Sequence, residues 1–345
     1  MEVLKQVLGV DVAQKELVVS LGKMYSDFSL EIYAHKVFKN SERGMNELLK
    51  WVKKLTLDDR KVLYVMEATG VYHEKFAYFL DDNLCKLSIV MPNKISNYMR
   101  TLDIKTITDK SCSAAIAQFG LERKLTEWKR PNKIYKSLKQ LTRERDQIVE
   151  ARAVIKNQLH AEQSEAYPIK NTIKRCEEHI KFLNKQEAQV KKEIEQIKDF
   201  EIKKKIEKIT TIPGVGVLTA TVILAETNGF ELIKNKKQLT SYAGLDVKEK
   251  QSGTSIKGKP KISKKGNKSI RKAMHFPALS AIRHNENYKG IYANLVSKSG
   301  VKMKGVVAVQ RKLLELIYVI YKNDTVYDIE YEKKKREQQT LVTLS

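Results

Sequence analysis

The sequence predicts a mixed α/β unit over residues 1–130, a long helical arm over 131–206 and a mainly helical C-terminal part over 207–345. Three observations carry this. Short runs rich in β-branched residues crowd the first 92 positions and are separated by amphipathic stretches. Apolar residues then recur at alternating three and four spacing from Leu138 to Ile197. Finally, a new composition opens near residue 207 with IEKITTIPGVGVLTATVILAET.

In order, QVLGVDVA at 6–13, ELVVSLG and HKVF read as three strands. NSERGMNELLKWVKKLT follows as a helix, with Asn40 or Ser41 as its N-cap. VLYVMEA at 62–68 and LSIVMP at 87–92 read as buried strands, divided by the helix YHEKFAYFLDD, and a further helix follows the last strand. This order is that of a mixed sheet with helices on its faces, and Pro131 closes the unit. Leu138, Leu141, Ile148, Ile155 and Leu159 then share one helix face, and Tyr167-Pro168 breaks that helix. Ile173, Cys176, Ile180, Leu183, Val190, Ile194 and Ile197 line the next, with Glu187 intruding on the seam. Two such helices form an antiparallel hairpin packed on their own domain, or a coiled-coil arm that pairs with another protomer.

The chain carries 65 Lys and Arg against 41 Asp and Glu, a formal charge of +24, yet 42% of its residues are apolar. A folded, strongly basic chain takes nucleic acid as its partner. No apolar run approaches the roughly 18 residues of a membrane span, and the opening MEVLKQVLGVDVAQ lacks a signal-peptide layout, so a cytoplasmic protein is expected. Cys85, Cys112 and Cys176 are widely spaced, without CxxC or His pairing, and are expected to be free thiols.

The charge is concentrated. From Lys248 to Lys272 there are ten Lys and Arg against the single Glu249, a net of +9. Within this stretch Lys257, Lys259, Lys261, Lys264, Lys265 and Arg271 are candidate phosphate contacts, and Ser252, Ser255 and Ser263 are candidate nucleophiles. Gly253 beside Ser252 lets a backbone come close, and the cations could stabilise a pentavalent phosphorus. IPGVG at 212–216 is either a helix-hairpin-helix turn, with Gly214 and Gly216 admitting a phosphate to backbone amides, or an ordinary tight turn.

Acidic residues supply the other chemistry. Asp11 lies inside an apolar strand, where a carboxylate is costly without a cation or donor. Glu67 ends another strand, and Asp109 sits near the start of the helix SCSAAIAQFG. Acids from these three places converge at one sheet edge in an RNase-H-type fold, which gathers Mg²⁺ ions there.

These residues together resemble the insertion-sequence one-ten transposases, the DEDD recombinases guided by a bridge RNA. The likeness runs through GVDVAQKEL, EATGVY, TDKSCSAAIAQFG, the helical arm, IPGVGVLTA, YAGLDV, SGTS and ISKKGNKSIRKAM, in that order. The resemblance implies a RuvC-like N-terminal domain, a coiled-coil arm and a C-terminal transposase domain. It further implies Mg²⁺-dependent cutting and rejoining of DNA through a covalent serine intermediate, a structured guide RNA, donor and target DNA, and a dimer or tetramer. By position, Asp11, Glu67 and Asp109 match the first three acidic ligands and Ser252 the nucleophile. The fourth acid is replaced by Cys112, a soft and poor ligand for Mg²⁺, with Asp103, Ser113 or a water as the alternative donor. Two other functions fit the same residues: a metal-dependent, structure-specific nuclease that uses no serine, and a non-catalytic nucleic-acid-binding relic.

Overall fold

The computed structural model describes residues 2–56, 58, 61–68, 70–102, 106–231, 233–248, 251–252, 256–258, 261–328 and 330; at 251, 252, 256 and 257 only the backbone is considered. The chain divides into two compact units, residues 1–130 and 131–345.

The first unit is built on five strands, β1 (Val3–Val12), β2 (Glu16–Tyr25), β3 (Leu30–Lys39), β4 (Val62–Glu67) and β5 (Lys86–Val90), in the order β3-β2-β1-β4-β5. The β1–β2 and β2–β3 pairs are antiparallel, whereas β4 runs parallel to both β1 and β5. This is the RNase-H-type strand order. Helices α1 (Glu42–Leu55), α2 (His73–Asp82), α3 (Pro92–Met99) and α4 (Asp109–Glu122) complete the unit. Ser41 is the N-cap of α1, its hydroxyl accepting from Gly44 N.

Strand parity divides the core. Leu8, Val10, Val12, Tyr64 and Met66 pack with Met45, Leu48 and Val52 of α1 and Phe76 and Leu80 of α2. The alternate positions Val7 and Val65 pack with Ile95 of α3 and Ile116, Ala117 and Leu121 of α4. β3 is longer than its apolar run HKVF suggests. It is the sheet's edge and only Phe38 in it is buried, so its polar residues mask the alternation while β2 sets its pairing from Glu16↔Lys39 to Met24↔Leu30.

The second unit opens with α5 (Lys133–Gln163) and α6 (Lys170–Glu195), an antiparallel pair in which Ile148 packs with Leu183, Val190 and Ile194. Glu187 sits in their buried seam, hydrogen-bonded by Arg145 at 3.0 Å and by Arg152, with Lys191 at 2.9 Å. Burial pushes its carboxyl up, but these three partners outweigh that and hold it at about 2. The charge on the seam is therefore compensated within the pair.

α7 (Phe200–Thr210), the IPGVG turn and α8 (Val217–Thr227) follow, then α9 (Lys236–Tyr242), α10 (Lys268–Ala273), α11 (His275–His284), α12 (Glu286–Ser299) and α13 (Lys302–Asn323). Between α9 and α10 lie two backbone ladders of two residues a strand: β6 (Val247–Lys248) with β9 (Lys261–Ile262), and β7 (Gln251–Ser252) with β8 (Ile256–Lys257). Every residue of α8 from Ala220 to Thr227 is buried, which explains why Glu226 is its only charged residue: it is the central helix of a core shared with Ile206, Leu239, Ile270, Leu313 and Ile317. Cys85, Cys112 and Cys176 are free thiols. Among the described residues no helix is long and apolar enough to cross a membrane.

Candidate active site and nucleic-acid interface

Asp11 and Glu67 end up side by side because β1 and β4 are parallel neighbours with Val10 opposite Met66, one residue before each acid. Counting in twos from Val7 and Val65 places both acids on the face that α4 covers. That helix comes unusually close. A methyl on Gly9 of β1 would overlap the backbone of Ser113 and Ala117, and one on Gly120 would press into Val7 and Val65. The chain of small residues in SCSAAIAQFG is thus explained by helix-on-strand approach, running antiparallel to β1 from Gly120 over Val7 to Ser113 over Gly9. One turn further, the start of α4 brings Asp109 and Cys112 within electrostatic reach of Asp11 at the end of β1.

The start of α4 is fixed twice. Thr108 caps it through a hydroxyl accepting from Ser111 N, and in return Thr108 N donates to the Ser111 hydroxyl. Beneath it, the buried hydroxyls of Ser113 and Ser20 on β2 are bonded at 2.8 Å, and Ser20 is also bonded to His35 Nδ1 on β3 at 3.2 Å. Sequence reasoning missed this buried pair. Ser20 interrupts the apolar run ELVVSLG, and that interruption was the available signal. Ser113, proposed above as a substitute ligand, is committed to Ser20 and to the Lys110 carbonyl. Asp103 lies outside the described residues.

The electrostatics follow from this convergence. Burial pushes the Asp11 carboxyl up, and the negative fields of Asp109 and Glu67 push it further, to about 6. The Cys112 thiol is raised by burial and then by the fields of Asp11, Asp109 and Glu67, so it stays protonated and is a weak ligand. Among the described residues, no group of three or more His, Cys, Asp and Glu side chains is gathered to metal-holding distance. Carboxylates are hard donors of the kind that hold a divalent cation, and Asp11 lies in the fields of two others; a protonated thiol is not such a donor.

In the second unit, the basic segment is anchored on YAGLDV. Asn267 N donates to Tyr242 O at 2.8 Å, Lys264 N to Gly244 O at 3.1 Å and Ser263 N to Asp246 O at 2.9 Å. Gly244 has a φ of +67°, and a side chain on Gly266 would strike Gly244 N and Tyr242 O, so both glycines are required by this close crossing. Ser263 donates to Asp246 at 2.5 Å, which gives it a structural partner. The Arg271 guanidinium donates to Ala243 O at 2.8 Å, while Lys261, Lys264 and Lys265 are exposed. Ser252 pairs with Ile256 through the backbone; its side chain and that of Lys257 are not described, and Ser255 and Lys259 lie outside the described residues. In the IPGVG turn Gly214 has a φ of +86° and lies against Ser280 and the Pro277 carbonyl, whereas space around Gly216, the N-cap of α8, is open.

Glu226, at the end of α8, is a further residue that sequence reasoning passed over. Its buried carboxylate accepts two hydrogen bonds from Arg143, at 2.7 and 3.0 Å, and one from Asn267 Nδ2 at 2.7 Å, with Lys139 at 3.6 Å. Asn267 in turn is the N-cap of α10 through Ile270 N. A single acid near the end of a helix otherwise made of apolar residues and threonines was the signal. Burial raises the Glu226 carboxyl, but Arg143, Lys139 and Asn267 reverse this and leave it below its ordinary value.

Two family models match this chain: a transposase model of the DEDD, IS110 type over residues 8–168, and the model of the transposase IS116/IS110/IS902 family over residues 206–293. The chain is 27% identical over 294 residues to the pilin gene-inverting protein of Moraxella bovis, an alignment covering 84% of this chain and 89% of that protein. It is also 27% identical over 120 residues to the insertion element IS110 uncharacterized 43.6 kDa protein of Streptomyces coelicolor, covering 35% and 29% of the two chains. A structure of T. thermophilus RuvC in complex with a Holliday junction substrate aligns with 36% of this chain and 99% of its own at 10% identity and a TM-score of 0.27. The fold assignment rests on the strand order rather than on that overlap. The matched segments place the molecule in the class of DNA transposases. It belongs to the IS110 family.

Proposed function

We propose that this transposase is an RNA-guided DNA recombinase of an insertion sequence that cuts and rejoins DNA through a phosphoserine bond at Ser252. The observation that carries the reading is the convergence of Asp11, Glu67 and Asp109 at one end of the sheet, in a family whose matched segments also include SGTS. Ser252 Oγ attacks the scissile phosphorus as its proton is lost; the P–O3′ bond breaks, and the departing oxygen takes up a proton to become a free 3′-hydroxyl. The 5′-phosphate remains on serine, so the bond energy is conserved for rejoining to another strand. A Mg²⁺ held by Asp11, Glu67 and Asp109 would supply charge neutralisation to the phosphate.

The remaining parts of the reading have separate supports. Sequence choice by a structured RNA suits a chain whose basic segment offers lysines for backbone contacts rather than base readout. Glycines 214 and 216 and the start of α8 form a helix-hairpin-helix element against a phosphate backbone. The α5–α6 hairpin exposes Val154, Tyr167, Ile169 and Phe182, a surface for coiled-coil pairing with a second copy in a dimer or tetramer.

Trapping of a covalent protein–DNA adduct tests the central claim. Ser252→Ala should abolish the adduct while leaving RNA affinity within about two-fold, because one neutral hydroxyl adds little beside the lysines. Strand exchange by that variant at the wild-type rate overturns the nucleophile assignment. Hydrolysis without any adduct in the wild type points instead to a metal-dependent nuclease, and binding without cleavage to a relic.

Neutralising Lys257, Lys259, Lys261, Lys264 and Lys265 together should flatten the slope of log K against log salt by several units, each phosphate contact contributing about 0.7–0.9. An unchanged slope would make this segment a solvated loop.

A further inference from the structure

From Gln251 to His284 the chain contains nine Lys and Arg and no Asp or Glu. The last part of this acid-free stretch is α11, whose outward face carries Phe276, Leu279 and Arg283 at helical spacing. Phe276 is 77% exposed and Leu279 41%. The Phe276 ring does not stand alone. His275 meets it edge to face with centroids 5.7 Å apart, and Gln310 of α13, itself 5% exposed, is bonded to His275 Nδ1 at 3.4 Å. A buried amide thus orients an imidazole that supports an aromatic ring in solvent. The same helix forms the wall of the IPGVG turn, since Gly214 abuts Ser280 and the Pro277 carbonyl, and Thr219 of α8 donates to Ala273 O at 3.5 Å beside it.

We propose that Phe276 is a stacking platform for an unpaired nucleobase of a strand whose phosphates follow the basic segment and the glycine turn. This rests on the nucleic-acid reading above and adds a specific residue and ligand class to it. The choice of a base over an apolar protein partner follows from charge. The segment that leads to the ring and the helix that carries it hold cations and no acid; Lys268 and Lys272 pair with Glu150 and Asp146 of α5, while Lys261, Lys264, Lys265 and Arg283 are exposed and offer their charge to a polyanion. A base inside a duplex has no free face for the ring, so the ligand is single-stranded, flipped or in a loop.

The test compares the full chain with Phe276→Ala and Phe276→Tyr on three probes at one salt concentration: an oligo(U) of 20 nucleotides, an oligo(dT) of the same length, and a blunt duplex without unpaired bases. Phe276→Ala should weaken binding to a single strand about 5-fold or more, the size of one lost base–aromatic stack. Binding to the duplex should change less than two-fold, the salt slope should be unchanged, and Phe276→Tyr should restore single-strand affinity. Loss on oligo(U) alone assigns the stack to RNA, and loss on oligo(dT) alone to DNA. Unchanged affinity for both single strands overturns the proposal, as does an equal loss on the duplex. A variant that keeps single-strand affinity but loses self-association in sedimentation reassigns the ring to a protein contact. If the wild-type chain binds none of the three probes, the nucleic-acid reading itself fails.

Discussion

Asp11→Asn should lower strand cleavage by roughly 10²–10³-fold, the effect of removing one preorganised charge-stabilising group from a phosphoryl-transfer site. Asparagine keeps the volume and one oxygen of aspartate but not the charge that would hold a cation against Glu67 and Asp109. The fold should not suffer. The Asp11 carboxyl is raised to about 6 by burial and by Asp109 and Glu67, so the ionised form is disfavoured in the native state and a neutral amide relieves that cost. The melting temperature without added metal should therefore stay the same or rise while cleavage is lost, the opposite of what a misfolded variant would give. Cutting at the wild-type rate over a Mg²⁺ titration would refute the composite metal site. Cys112→Asp is the reciprocal experiment: exchanging a protonated thiol for a hard carboxylate in the same field should leave activity unchanged or raise it.

The largest effect on stability is expected at Glu226. Glu226→Ala removes the acceptor of Arg143 and Asn267 together and leaves α10 with an N-cap held from one side only, a loss of roughly 3 kcal/mol. Trp51 and Trp128 both lie in the first unit, so tryptophan fluorescence would miss the change; amide exchange reads it locally. Protection at Ile270 and along α8 should fall, while β1 and β4 amides keep theirs. The pH dependence has a definite sign. A carboxyl whose folded value lies below the unfolded one, about 4.3, stabilises the native state above that pH and loses its contribution as pH falls through the folded value. The gap between wild type and variant should accordingly be full at pH 7 and shrink below pH 4. A gap that instead grew on acidification would mean that Glu226 is not held as a carboxylate. Glu187, held at about 2 by Lys191, Arg152 and Arg145, should keep its contribution until pH falls towards that value.

Much of the first unit could be read from composition and spacing. Short apolar runs rich in β-branched residues at QVLGVDVA, VLYVMEA and LSIVMP are strands buried on both faces, and their length and bounding turn residues distinguish them from helices. The edge strand β3 was only partly legible, because a half-solvated strand does not need apolar residues and its extent is set by its partner β2. Glu187 was visible as an intrusion on an apolar seam, but its three cationic partners come from positions as far as 42 residues away in the chain. Glu226 and Ser20 were missed for a related reason: a buried polar side chain is tolerated only by virtue of partners, and partners are not written next to it.

The amino-acid order by itself determined which groups this protein has to work with: two carboxylates near strand ends and one at a helix start, a serine among lysines, glycines at IPGVG and an acid-free basic stretch. These are local properties, set by side-chain chemistry and by the period of each element. Only the tertiary structure decided which of them meet. Asp11 and Glu67 share a face because β1 and β4 are parallel in one register, and Asp109 joins them because Gly9 and Gly120 let α4 approach β1 with Ser113 locked to Ser20. Convergence of this kind depends on pairing between residues about 50 to 100 positions apart, and no periodicity within a single element encodes it.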